Sequence, residues 1–237
     1  RYHEYRSDFY FAVARNASAY DILMTLTPIE SVPGISMFDK LKMSHEEWAP
    51  TRATRIIELA NNIMADGIDP VISSVELTPD KEKSNSTDVL KKIGGFEQLT
   101  FQDMAAFNDD KFVGWLDESQ SKGCNYINNE VVHTTGSTDE NGVKVSYDIH
   151  EVETKRKAVI ENNVPRIDVE ISIKSSVIAV EGDLDVSKLE NKELLSEMSE
   201  RKVMQLCQAA LQKAQKELKV DIFGFGELIH NEDPAYW

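Results

Sequence analysis

Hydrophobic and polar residues alternate most regularly in the stretch 143–181. Ile167, Val169, Ile171 and Ile173 alternate with Asp168, Glu170, Ser172 and Lys174, the two-residue period of a strand with one buried and one wet face. Val143 to Val159 alternates for most of its length, with turn signals at Asp139-Glu140-Asn141-Gly142 before it and Asn162-Asn163 after it. The second run continues through Val177, Ala179 and Glu181. Fully extended it would span roughly 60 Å, longer than most strands. A bend or bulge is therefore expected near Ser175-Ser176.

From Lys192 to Leu218 the period changes. Leu195, Met198, Val203, Leu206, Cys207, Ala210, Ala214 and Leu218 trace one stripe at spacings of three and four, with Glu200, Lys202, Gln208, Lys213 and Lys216 mostly opposite. That is the signature of a long amphipathic helix. An antiparallel sheet with one apolar face, followed by such a helix, buries both by laying the helix across the sheet.

The first half of the chain is less regular. Asp8 to Ala14 alternates like a strand, Ala17 to Leu26 and Ser36 to Met43 read as short helices, and Thr51 to Ala65 reads as a clearer one. Ile56, Ala60, Ile63 and Met64 share a face of that helix, and Gly67 stands where a C-terminal cap is expected. Val71 to Leu77 reads as a strand and the polar stretch Thr78 to Lys92 as a loop. Thr100 to Phe107 and Phe112 to Leu116 form a hairpin pattern, Asp117 to Lys122 a helical turn stopped by Gly123, and Cys124 to Val132 a strand. The expected fold is α+β with two domains, residues 1–122 and 123–237, the second an antiparallel sheet with the long helix packed across one face.

Composition narrows the setting. Residues of hydrophobic type make up 41% of the 237, enough for a core, and no run is long and apolar enough to span a bilayer. With 26 basic against 41 acidic residues the net charge is −15, a sign that repels nucleic acid and anionic lipid headgroups. The two cysteines, Cys124 and Cys207, have no metal-type spacing. Their number leaves a single bridge open, but Cys207 sits on the apolar stripe of the helix and reads as a small core residue. The chain opens at Arg1-Tyr2-His3 without a methionine or an apolar leader, and is read as a processed fragment.

Candidate chemistry is sparse. Gly224-Phe225-Gly226 could begin a dinucleotide fingerprint, but Ile229 occupies the third glycine position. His45-Glu46-Glu47 lacks the second histidine of a zinc-protease helix, and the five histidines share no ligand spacing. Asp183-Leu184-Asp185 resembles the start of a calcium loop, yet Lys188 stands where that loop needs glycine and Leu194 where it needs a bidentate acid. No serine lies in a nucleophile elbow. The residues point to no catalytic group, no cofactor and no metal.

Four segments carry a resemblance. They are Val13-Ala14-Arg15 with Ala19-Tyr20-Asp21-Ile22-Leu23, Phe112-Val113-Gly114-Trp115-Leu116, Gly182-Asp183-Leu184-Asp185, and Asp221-Ile222-Phe223-Gly224-Phe225-Gly226-Glu227 with the ending Pro234-Ala235-Tyr236-Trp237. In this order they resemble the Ger(x)C family, the C subunits of GerA-type nutrient receptors of endospores. The resemblance spans the last two-thirds of such a protein, without its signal peptide, lipobox cysteine and N-terminal domain.

What the resemblance implies is a non-catalytic lipoprotein, anchored by lipid on the outer face of the spore inner membrane. It would assemble with two integral-membrane subunits, A and B, for nutrient-triggered germination. The motif positions Gly114, Trp115, Leu116, Asp183, Asp185, Phe223, Gly224, Phe225, Gly226 and Glu227 would then serve packing or partner contact. Asp221 is a candidate N-cap for a short helix in which Ile222, Phe225, Leu228 and Ile229 form the apolar face, with Gly224 and Gly226 permitting close approach to the sheet. Two other readings compete: a small-ligand sensor, which needs a deep pocket with convergent polar groups, and a spore-envelope enzyme, which needs a titratable cluster in a cleft.

Overall fold

The computed structural model describes residues 9–24, 33–79, 97–186 and 188–237. The first sheet is built from β1 (Val13–Arg15), β2 (Val71–Pro79), β3 (Glu97–Thr100), β4 (Met104–Asn108) and β5 (Lys111–Leu116). Strand β1 runs parallel to β2, pairing Val13 with Ser74, while β3 and β4 pair antiparallel with β2, and β5 antiparallel with β4. Helices α1 (Ala19–Met24), α2 (Pro33–Trp48) and α3 (Ile56–Met64) belong to this half. The expected loop at Thr78 to Lys92 falls largely outside the described residues.

The second sheet has the order β6 (Thr134–Glu140), β7 (Val143–Glu161), β8 (Val164–Glu181), antiparallel throughout. Asn141-Gly142 and Asn162-Asn163 make its two turns with positive φ at both central residues, 53° and 79° in the first, 51° and 62° in the second. Turns of that hand match the twist of paired strands. The long hairpin bends where expected. Ile149 pairs with Ser175 but Glu151 with Lys174, and Ser146 pairs with Ala179 but Tyr147 with Val177, so His150 and Ile178 are extra residues flanking Ser175-Ser176.

The long helix α5 (Leu189–Leu211) continues into π-helical turns over Gln212–Leu218. Its stripe serves both sheets. Leu195 and Met198 pack on Val145, Tyr147 and Ile149 of the second sheet. Val203, Leu206 and Cys207 meet Tyr126 and Val131. Ala210, Ala214 and Leu218 join Val71, Met104, Ala106 and Leu116 of the first sheet. One helix thus closes two cores, and buried side chains from both sides of Gly123 share the third cluster.

Three expectations fail, one at the border of the two halves and two in the first. Residues 124–127 are helical, not a strand: α4 runs Glu118–Ile127, started by a capping box in which Asp117 accepts from Gln120 N at 2.8 Å and Gln120 Oε1 accepts from Asp117 N at 3.0 Å. Gly123 does not stop it. A side chain there would strike the Leu206 carbonyl, so the glycine marks the crossing of α4 and α5. Thr51 to Thr54 is not helical: Arg52 N donates to Ser73 Oγ at 2.7 Å and Thr54 Oγ1 to Val71 O at 3.3 Å, and the helix begins only at Ile56. Asp8 to Ala14 yields strand only from Val13. Before it, Tyr10 makes one bridge with Arg55, and Phe11 N donates to Thr54 O at 3.0 Å.

Candidate functional site

The motif positions divide into a seam, an outlying ring and a distant turn. Phe223, Gly224 and Gly226 are buried, and Leu116 is fully so. Leu116 and Phe223 lie in the cluster that includes Met104, Ala210 and Ile222, with Phe225 packed against it. Phe223 and Phe225 stack with centroids 5.0 Å apart. Gly114 joins from the hairpin, since a Cβ there would stand 2.6 Å from Leu218 Cδ2. Trp115 faces elsewhere: the Arg15 guanidinium lies 4.9 Å over its ring and Phe112 lies 4.9 Å away. Asp183 and Asp185 are exposed in the turn between β8 and α5, where Asp185 O accepts from Lys188 N and from Asn191 Nδ2. The fold does not bring them to the others.

The seam is tied by Asp221, which the sequence offered as a cap for a short helix, and by Asp69, Asn128 and Arg156, which local sequence did not reveal. The Asp221 carboxylate accepts from the backbone N–H of Phe223, Phe225 and Gly226 at 3.2, 3.1 and 2.6 Å. It satisfies the open donors at the start of α6 (Phe225–Glu232) from outside the cap position, which Gly224 fills at φ 69°. Asp69 Oδ2 in turn accepts from Asp221 N at 2.7 Å. Arg156 on β7 donates to Phe223 O at 2.6 Å and to Asn128 Oδ1 at 3.1 Å, and Asn128 Nδ2 donates to Ile222 O at 3.0 Å. Burial pushes the Arg156 guanidinium below its ordinary range, reinforced by Arg52 and opposed by Asp221, Glu227 and Glu130.

The glycines approach a loop rather than the sheet face. A Cβ on Gly226 would lie 2.7 Å from Gly67 Cα, and one on Gly224 3.1 Å from Ile68 Cδ1. Gly67 is therefore no simple cap of α3, which ends at Met64 with Ala65 as its cap. Glu227 itself is exposed, and its N–H donates to Gly67 O at 3.0 Å.

Away from the seam, His133 bridges two carboxylates, with Nδ1 2.9 Å from Glu47 Oε2 and Nε2 2.6 Å from Asp148 Oδ1. The bond to Asp148, then that to Glu47, raises its pKa. Cys124 and Cys207 are free thiols, each pushed up to about 12 by burial. Among the described residues no group of three or more His, Cys, Asp or Glu could hold a metal ion. A cavity of about 450 Å³ opens between β6 and the helices α4 and α5, lined by Trp48, Lys122, Thr135, Ser137, Tyr147 and Lys202. No described helix is long and apolar enough to cross a membrane.

The family described as "Spore germination B3/ GerAC like, C-terminal" matches residues 102–237, more than half of the chain. The chain belongs to this family. The GerAC-like match includes β5, α5 and the whole Asp221 segment, and so covers all ten motif positions. Spore germination protein KC of Bacillus subtilis (strain 168) is 25% identical over 99% of the chain and 58% of its own length. The crystal structure of the GerBC protein superposes with a TM-score of 0.69 at 19% identity, over 98% of this chain and 61% of that one. The GerAC-like chain therefore spans about three-fifths of the length of these relatives. Its fold is α+β with two sheets and a long C-terminal helix, as the strand and helix periods anticipated.

Proposed function

We propose that the chain is the larger part of a C subunit of a spore germinant receptor, acting through protein contacts and not through catalysis. The observation that carries this is the alignment of a germination protein along 99% of the chain, together with the family match over 102–237. In this reading the parent protein is a lipoprotein on the outer face of the spore inner membrane, and its partners are the A and B membrane subunits. A lipid anchor and a protein contact are each weak and act together. The motif residues of the seam serve packing: Leu116, Phe223, Gly224 and Gly226 are buried, so the contacting surface lies elsewhere. The test is replacement of exposed residues in intact spores. Charge substitutions that leave the protein folded should abolish nutrient germination and spare germination by routes that bypass the receptor. Normal nutrient responses in spores lacking the protein would remove the reading.

A second reading, a small-ligand sensor, has one observation in its favour. The 450 Å³ cavity joins an indole, two amines and several hydroxyls, the mixture of apolar wall and convergent polar groups that ligand pockets use. Thermal shift with a panel of amino acids and sugars tests it, and shifts abolished by Lys202→Ala would support it.

A further inference from the structure

Strand β8 is an open edge. It pairs with β7, and no other described strand pairs with it. An unpaired edge presents a row of backbone N–H and C=O groups, which proteins usually blunt with proline, a bulge or a cover. Here Pro165 stands at one end and the bulged Ile178 at the other. From Val164 to Lys174 the pairing with β7 is unbroken. The apolar side of this stretch borders a groove of about 630 Å³, lined by Val169, Ile171 and Ile173 of β8 with Met204 and Leu211 of α5.

The opposite face is charged and balanced. Lys157 stands across from Asp168, Lys155 from Glu170, Glu153 from Ser172 and Glu151 from Lys174. All of these side chains are exposed. With Arg166 the positive and negative groups of the face are equal in number, although the whole chain carries −15. What selects an occupant of the edge is therefore the order of the charges and not their sum.

We propose that β8 pairs antiparallel with β8 of a second copy of this chain, about a two-fold axis through Ile171, joining the two sheets into one. Residues directly opposed in an antiparallel pair share a face, and this register fits itself on both. On the charged face Asp168 of each copy meets Lys174 of the other. The row across the joined sheet then reads Lys157, Asp168, Lys174, Glu151, alternating in sign at every step. On the apolar face Ile171 meets itself and Val169 meets Ile173, so the two grooves lie side by side over the seam. Neighbouring registers fail. Centring on Glu170 sets Glu170 on itself and Arg166 on Lys174, centring on Val169 sets Asp168 on Glu170, and centring on Ser172 sets Val169 on Ser175.

Within one copy Asp168 already meets Arg166, and Lys174 meets Glu151. A carboxylate and an ammonium each have room for a further partner. A two-fold contact uses one patch twice, so the fit of the strand to itself is what closes the pair. Repulsion between two acidic chains is damped beyond about 8 Å at physiological salt. The pairing stands apart from the germination reading, and its test uses the purified chain alone.

Sedimentation across a dilution series should show monomer and dimer in equilibrium. Hydrogen exchange should slow the amides of 167–175 that point away from β7 by about tenfold or more on dimerisation. Asp168→Lys and Lys174→Glu each oppose like charges at two symmetry-related places, and each should raise the dimer Kd by about tenfold or more. Mixed in equal amounts, the two variants restore both opposite-charge contacts. The mixture should therefore associate like the native chain where neither variant does alone. Both replaced side chains are exposed, so each variant should melt as the native chain does. The proposal is overturned if the native chain stays monomeric throughout the series, if protection on dimerisation falls outside 167–175, or if the mixture associates no better than its components.

Discussion

Gly67 and Gly226 meet backbone against backbone. A Cβ on Gly67 would lie 2.6 Å from the Gly226 carbonyl carbon, and one on Gly226 2.7 Å from Gly67 Cα. The contact sets the start of α6 against the loop that enters β2, and Glu227 N completes it by donating to Gly67 O. Gly226→Ala should therefore destabilise by about 1–3 kcal/mol, as overpacking does, because the new methyl would press on the Gly67 backbone and on the Trp237 ring. Gly142→Ala is the comparison. Gly142 has φ 79° but open space around it, so its cost should be confined to backbone strain, about 1 kcal/mol. Urea melts of the two variants separate packing from strain.

Asp221 is the second support of that seam. Replacing it by alanine strands three backbone donors, on Phe223, Phe225 and Gly226. Hydrogen bonds to a charged acceptor are each worth about 1.5–3 kcal/mol, and water recovers part of the loss at this half-buried site. A net cost of about 2–3 kcal/mol is expected, with faster hydrogen exchange at the first turn of α6. An unchanged melt would show the carboxylate to be dispensable.

The face of α5 can be checked by a pair of truncations. Met198 is 2% exposed against the second sheet, and Met198→Ala should cost about 2–5 kcal/mol. Lys216 is exposed, and Lys216→Ala should stay within about 0.5 kcal/mol of neutral. Because α5 and its π-helical end close both cores, loss of Met198 should lower a single unfolding transition followed at either half. Two separated transitions would contradict the shared cluster.

His133 predicts a pH dependence whose sign is fixed. Its folded pKa is raised by the hydrogen bonds to Asp148 and Glu47, so its contribution is fully present below the unfolded value of about 6.5 and is lost as pH rises through the folded value. The stability difference between the native chain and His133→Gln should be larger at mildly acidic pH, with the carboxylates still ionised, than in alkali. An imidazole titrating by NMR at or below its ordinary pKa would contradict the bridge.

The thiols give a chemical check. Cys124 is fully buried, and both cysteines are pushed up to about 12. The reactive thiolate is therefore scarce at neutral pH. Alkylation should be slow in the folded chain and prompt in denaturant, and rapid native labelling of Cys124 would place it wrongly.

Elements were legible wherever their period was long and uninterrupted. The β7–β8 hairpin shows it: alternation through Ile167, Val169, Ile171 and Ile173 lasts long enough to exclude a helix, and asparagine and glycine supply the positive φ that its turns require. The α4 segment shows the opposite. Cys-Asn-Tyr-Ile at 124–127 is too short a run to have a period, and Gly123 reads as a stop until the carbonyl of Leu206 is seen beside it. Helix α3 was legible as amphipathic, yet Ile56, Ile63 and Met64 of its apolar face are 38%, 38% and 75% exposed. A pattern states which face is apolar and not what lies against it.

What the sequence determined by itself is therefore local and periodic: strand and helix types, the two asparagine turns, the acidic surface, and the motif order that resembles the GerAC-like family. Tertiary structure alone decided that Asp69, Asn128 and Arg156 converge on the backbone of the Asp221 segment, that Gly67 faces Gly226, and that one helix closes two cores. The physical reason is that a period follows from neighbours along the chain, whereas a contact between distant segments follows from how whole elements exclude water together. Sequence spacing carries no record of that.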